Sequence, residues 1–128
     1  MSGADWIDRA AWPYPPRWLT VSDGRLHYVD EGAGTPVVLV HGTPTWSFEW
    51  RHVIGGLRTS ARVLAPDHLG FGLSERPAAA GYRPEDHARR FREWVDGAVP
   101  AQPLHLVVHD FGGPIALDWA LDHPERLR

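Results

Sequence analysis

An α/β domain is the fold class that this sequence predicts, and three observations predict it. Short runs of branched apolar residues, PVVLV, RVLAP and LHLVV, recur between segments with helical apolar spacing. Continuous runs of this kind suit strands covered on both faces, as in a parallel sheet flanked by helices. Two loops of unusual composition, HGTP and HDFGG, each follow such a run. Ligands on these sheets bind beyond the carboxyl ends of the strands.

The elements follow in order. Residues 1–18, rich in Pro and Trp, read as an extended N-terminal arm, and residues 19–128 as the body of the domain. A hairpin opens that body: Leu19 to Ser22, a turn at Asp23-Gly24, then Arg25 to Asp30. Asp-Gly between alternating runs is a strong hairpin signal. Val37 to Val40 is the first covered strand. Trp46, Trp50, Val53, Ile54 and Leu57 fall on one face of a helix after it. A strand ending near Pro66 comes next. Pro84, Glu85 and Asp86 suit the start of a second helix, where Pro is tolerated and acids favour the positive end of the dipole. Ala88, Phe91, Val95 and Ala98 give it an apolar face, and Arg89, Arg90 and Arg92 read as its solvated side. Leu104 to Val108 is a third covered strand. The helix after it stops at Pro124. The sum is about five strands, a hairpin and then parallel strands, with helices on both faces.

Composition narrows the function classes. The chain has 128 residues, net charge −3 and 23% charged residues, which gives no footprint for nucleic acid or an anionic membrane. No apolar run approaches the roughly 20 residues of a membrane span, and no charged segment leads into an apolar one at the start. Zero cysteines exclude disulfides and Cys-ligated metal. No histidine has ligand spacing, so neither metal nor cofactor is expected. A cytoplasmic location fits these features.

VVHDFGG, Val107 to Gly113, has the outline of a tight strand-to-helix turn that presents a nucleophile. Residues flanking such a turn must be small, and Gly112 and Gly113 supply that on one side. The turn presents Asp110 where serine is usual. The competing reading is that Asp110 caps the following helix. HGTP, His41 to Pro44, lies after the preceding covered strand, and its competing reading is a plain turn. The order of the two loops among the strands weighs against both plain readings.

The chain resembles the N-terminal part of an α/β-hydrolase in the haloalkane dehalogenase and epoxide hydrolase group. GRLHYVDEG, VVLVHGTPTWSFEWR, VLAPDHLGFGLSERP and LVVHDFGGPIALDWALDHPERL carry the resemblance, from about Pro13 to Arg128. It implies Asp110 as nucleophile and the backbone N–H groups of Thr43 and Phe111 as an oxyanion hole, with His41, Gly42, His109 and Gly112 in support. Trp46, beside that loop, is a candidate substrate contact. The implied substrate is a small apolar molecule, a halogenated alkane or an epoxide. An aspartate is ionised at neutral pH and needs no base to attack a saturated carbon. The resulting alkyl ester must then be hydrolysed, and in this group a histidine oriented by a second acid activates the water.

Two departures bear on that implication. The group's histidine, its orienting acid, the lid and the last strands lie in a part of the fold that these residues do not include. Phe111 stands where dehalogenases carry Trp, so no indole N–H is there to hold a halide. The residues therefore leave open an Asp-nucleophile hydrolase, an inactive remnant, and a module that binds a complementary chain. Leu104 to Val108 would form an open apolar edge that invites association.

Overall fold

In the computed structural model, residues 5–128 are described. Five strands form one sheet: β1 (Arg17–Val21), β2 (Gly24–Glu31), β3 (Pro36–Val40), β4 (Arg62–Pro66) and β5 (His105–Val108), in the order β1-β2-β4-β3-β5. β1 and β2 are an antiparallel hairpin, and β2 also runs antiparallel to β4. β3 is parallel to both β4 and β5. The helices are α1 (Arg51–Leu57), α2 (Pro84–Ala98) and α3 (Gly112–Asp122), with a short 3-10 turn at Ser47–Trp50 ahead of α1.

The strand period of two sorts β3 between two cores. Val38 and Val40 join Leu64, Phe91, Trp94, Val95, Ile115 and Trp119 under α2 and α3. Val37 and Leu39 join Val63, Ala65 and Ile54 on the opposite face. Each fully buried aliphatic side chain of this kind contributes roughly 1.5–3 kcal/mol. Helices thus cover both faces, as the sequence predicts.

Four details differ from the sequence reading. The arm is not extended throughout: Trp12 is fully buried against Trp46 and Phe48, and Tyr14 is buried with its hydroxyl donating to the Arg51 carbonyl. Aromatic burial against the second core outweighs the local bias of a Pro-rich stretch. β1 begins at Arg17, and Val21 pairs with Gly24, so the hairpin turns at Ser22-Asp23. Asp23 is held there by Arg89 and Arg90. Arg90 is no solvated residue: it is 1% exposed and donates to both Asp23 oxygens and to the Gly81 carbonyl. Val53 is exposed, because α1 contributes only Ile54 to full burial.

β5 is an edge strand and is not covered like β3. Val107 and Val108 are both exposed, as are Leu117 and Leu121 on the neighbouring helix. Its free edge is engaged at one point among the described residues. The Leu104 N–H donates to the Arg126 carbonyl and the Arg128 N–H donates back to the Leu104 carbonyl, a parallel bridge between Leu104 and Leu127.

Candidate active site

The carboxyl ends of β3, β4 and β5 bring three loops together. The β5 loop carries Asp110 at φ 54°, alone among described non-glycine residues in the left-handed region. That conformation costs an ordinary L-residue about 1–2 kcal/mol. It reverses the chain sharply enough for α3 to start at Gly112. The packing there is close, since a Cβ on Gly112 would sit 2.5 Å from the Val40 carbonyl oxygen and 2.7 Å from that of His41. The plain reading of Asp110 as a helix cap does not hold, because Phe111 occupies the cap position and no side-chain cap bond forms.

Asp110 is exposed and meets the β3 loop. The Thr43 N–H donates to Asp110 Oδ2 at 3.2 Å. A Cβ on Gly42 would lie 2.5 Å from the Asp110 Cβ, so only glycine lets the two loops approach this closely. The Phe111 N–H first, then the Thr43 N–H, hold the Asp110 carboxyl below the usual carboxylate range, with a smaller contribution from His109. The Thr43 N–H is thus the donor that reaches this carboxylate from the second loop.

His41 and Gly42 are buried. His41 Nδ1–H donates to the Gly42 carbonyl at 2.7 Å, and its Nε2 accepts the His68 N–H at 3.0 Å. This assigns one neutral tautomer, in keeping with burial that lowers its pKa. His68 Nε2–H donates to the His41 carbonyl at 2.8 Å, and burial holds His68 well below the ordinary histidine value. His109 is exposed and pairs with Glu49 at 3.2 Å. Among the described residues no histidine hydrogen-bonds the Asp110 carboxylate, and no group of three His, Asp or Glu side chains could hold a metal ion.

A cavity of about 600 Å³ opens beside Thr43 and Phe111. Its wall is mainly apolar, with Phe71, Tyr82, Pro84 and Ile115, and it also includes Arg76 and His87. Trp46 is not part of that wall. It stacks on Phe48 and packs against Trp12, which places it in the second core's margin. Phe71 and Tyr82 carried no signal in the sequence beyond their neighbourhood to the glycine-rich loop Gly70–Ser74.

A strand-to-helix turn bearing an ionised side chain, faced by a backbone donor from a second loop and opening on an apolar cavity, thus stands at the carboxyl ends of three parallel strands of a mixed sheet. The family model for the alpha/beta hydrolase fold matches residues 35–128, and the chain belongs to that family. Haloalkane dehalogenase 2 of Mycobacterium tuberculosis (strain ATCC 25618 / H37Rv) is 47% identical over 121 residues, covering 94% of this chain and 42% of that protein. The crystal structure of the haloalkane dehalogenase DatA from Agrobacterium tumefaciens C58 superposes with a TM-score of 0.84 at 32% identity, over 95% of this chain and 42% of DatA. The epoxide hydrolase CorEH gives 0.78 at 34% identity, over 88% of this chain and 39% of its own. The chain therefore spans about two fifths of the relatives it matches and corresponds to the N-terminal part of their fold. No described helix is long and apolar enough to cross a membrane.

Proposed function

We propose that Asp110 is the nucleophile of a haloalkane dehalogenase-like hydrolase. One Asp110 oxygen attacks a saturated carbon, the carbon–halogen bond breaks, and halide leaves with the bonding pair. The alkyl ester that remains is cleaved when water attacks the Asp110 carbonyl carbon. The Thr43 and Phe111 N–H groups then stabilise the negative oxygen of the tetrahedral intermediate. Removing one such donor typically costs about 2.7–4 kcal/mol of barrier. The observation that carries this reading is the Thr43 N–H aimed at Asp110 from a second loop at 3.2 Å.

Epoxide opening is the second reading, and Phe111 favours it. A phenyl ring offers no donor to a departing halide, whereas an epoxide oxygen needs a proton donor and leaves no free halide. Both readings share the same first covalent step at Asp110. Both also need a base for the second step, and the described residues bring none to the carboxylate.

Intact-mass and peptide mapping after exposure to a 1-bromoalkane and to a terminal epoxide test the proposal. One adduct per chain, mapped to Asp110 and lost in Asp110→Asn, is expected. Which reagent labels faster separates the two substrate readings. Labelling elsewhere with Asp110 untouched defeats both.

A further inference from the structure

We propose that the dipeptide Asp67-His68, at the carboxyl end of β4, positions the oxyanion-hole loop, holding the Thr43 N–H on the Asp110 carboxylate. The proposal rests on the reading of Thr43 and Asp110 given above. Neither residue touches the reacting atoms. Their part is to fix the backbone that does.

The loop from His41 to Ser47 is gripped at both ends by this dipeptide. At the near end His68 makes two bonds to His41, backbone N–H to Nε2 and Nε2–H to the His41 carbonyl. At the far end Asp67 Oδ1 accepts the Ser47 N–H at 2.7 Å. Thr43 lies between the two grips. Pro44, with its fixed φ, follows it directly and leaves the span little slack.

Asp67 is itself immobilised. It is fully buried, and His27 Nδ1–H donates to its Oδ2 at 2.9 Å. The Leu73 N–H donates to the same oxygen at 3.0 Å, which draws in the glycine-rich loop that walls the cavity. Gly72 admits that approach, because a Cβ there would sit 2.4 Å from Asp67 Oδ2. Ser74 closes the set, its hydroxyl donating to the Asp67 carbonyl and accepting the His27 N–H. A carboxylate with three donors and no exposure organises strands β2 and β4 and two loops together. Burying it only to cap one 3-10 turn would be a costly use of a charge, since an isolated buried carboxylate is heavily penalised. Its placement is accounted for by what those loops frame.

The test reads Asp110, not stability. The full chain and its Asp67→Asn and Ser47→Pro variants are titrated by NMR, following Asp110 through its own carboxyl carbon and through the Thr43 amide. Proline at 47 deletes the N–H that Asp67 accepts, together with the buried Ser47 hydroxyl, at the start of a short helix where proline is tolerated. His109 also acts on Asp110 and pairs with Glu49, so each titration is repeated with His109→Gln. In the parent the Thr43 amide should follow Asp110. In both variants the Asp110 midpoint should rise by about one pH unit or more, the loss expected when a bond to a charged acceptor is released. An unchanged midpoint in a variant that merely melts earlier would make Asp67 a residue of fold stability only, and overturns the proposal. Should Asp67→Asn fail to fold, Ser47→Pro decides by the same midpoint. Failure of the parent to be alkylated at Asp110 would end the nucleophile reading, yet leave this titration result standing or falling by itself.

Discussion

The Thr43 amide and the Asp110 carboxylate face one another across loops 67 residues apart in sequence, joined at 3.2 Å. The contact requires the left-handed backbone at Asp110 and the missing side chain at Gly42. Local backbone choices and a long-range meeting are thus one feature.

Replacing Asp110 separates backbone from chemistry. Asp110→Gly and Asp110→Val should both abolish alkylation. Only valine is forced into a region its branched side chain disfavours. Asp110→Val should be less stable than Asp110→Gly by about 1–2 kcal/mol in urea denaturation. Equal stabilities would show that the turn relaxes freely.

Gly42→Ala should disturb both the site and the packing of its two loops. Its new methyl would lie 2.5 Å from the Asp110 Cβ and 2.9 Å from the His109 carbonyl oxygen, so the two loops must move apart and the Thr43 contact with them. Alkylation of Asp110 by a bromoalkane should fall at least tenfold (about 1.4 kcal/mol of barrier). Gly112→Ala meets backbone atoms of β3 and its loop alone, leaves the Asp110 side chain untouched, and should cost about 1–3 kcal/mol of stability, the usual penalty of overpacking. Thermal melts and labelling rates on the two variants check the contrast.

Acid should destabilise the chain in two stages. Burial, then the Arg90 charge, holds His87 down to about 4, whereas an unfolded histidine titrates near 6.5. Between those values the unfolded state binds the extra proton, so stability is full above about pH 6.5 and falls as pH drops toward 4. His41 and His68 are shifted the same way. Asp86 extends the loss. The Arg83 N–H, then the Arg83 side chain, hold its carboxyl to about 2 against 3.8, so its contribution is present above 3.8 and lost as pH falls through 2. Melting temperatures across pH 7 to 2 should show both stages, and His87→Gln should shrink the upper one.

Arg90→Met should be costly despite lying in a run of arginines. It leaves the Asp23 carboxylate with Arg89 alone and removes the donor to the Gly81 carbonyl. Breaking a buried pair costs about 3–5 kcal/mol. Asp23 regains some water at 26% exposure, so roughly 2–3 kcal/mol is expected by denaturant titration. Arg89→Met, at the exposed end of the same contact, should cost well under half as much.

The β5 edge should make the purified chain associate. Leu121 is 79% exposed and Leu117 48%, beside the exposed Val107 and Val108. Sedimentation should show concentration-dependent self-association, reduced by Leu117→Glu with Leu121→Glu. A monomer at high concentration would rule out the edge as a contact surface.

The sequence made the sheet legible because β3 and β4 are apolar on both faces, and α2 and α3 begin and end on Pro and Gly signals. It also displayed the two site loops, since HGTP and HDFGG are unusual in composition and each follows a covered strand. Arg90 was opaque because a charge run looks solvated until its acid, Asp23, arrives from a hairpin far away in sequence. Trp12 was opaque for the same reason, its partners Trp46 and Phe48 being tertiary neighbours. Asp67 follows directly on the strand predicted to end near Pro66. That it sits at a covered strand's end, with His27 on the second strand of the hairpin, was the available hint, but nothing local says that the two meet.

The double grip of Asp67-His68 has a practical corollary for anyone wishing to recombine this scaffold. The HGTP segment cannot be grafted from another hydrolase by itself, because its two anchor points belong to a different stretch of chain. A transplant that keeps its shape must carry His27, the DHLGFGLS stretch and HGTP as one cassette. Chimeras cut between them should fold around a slackened loop.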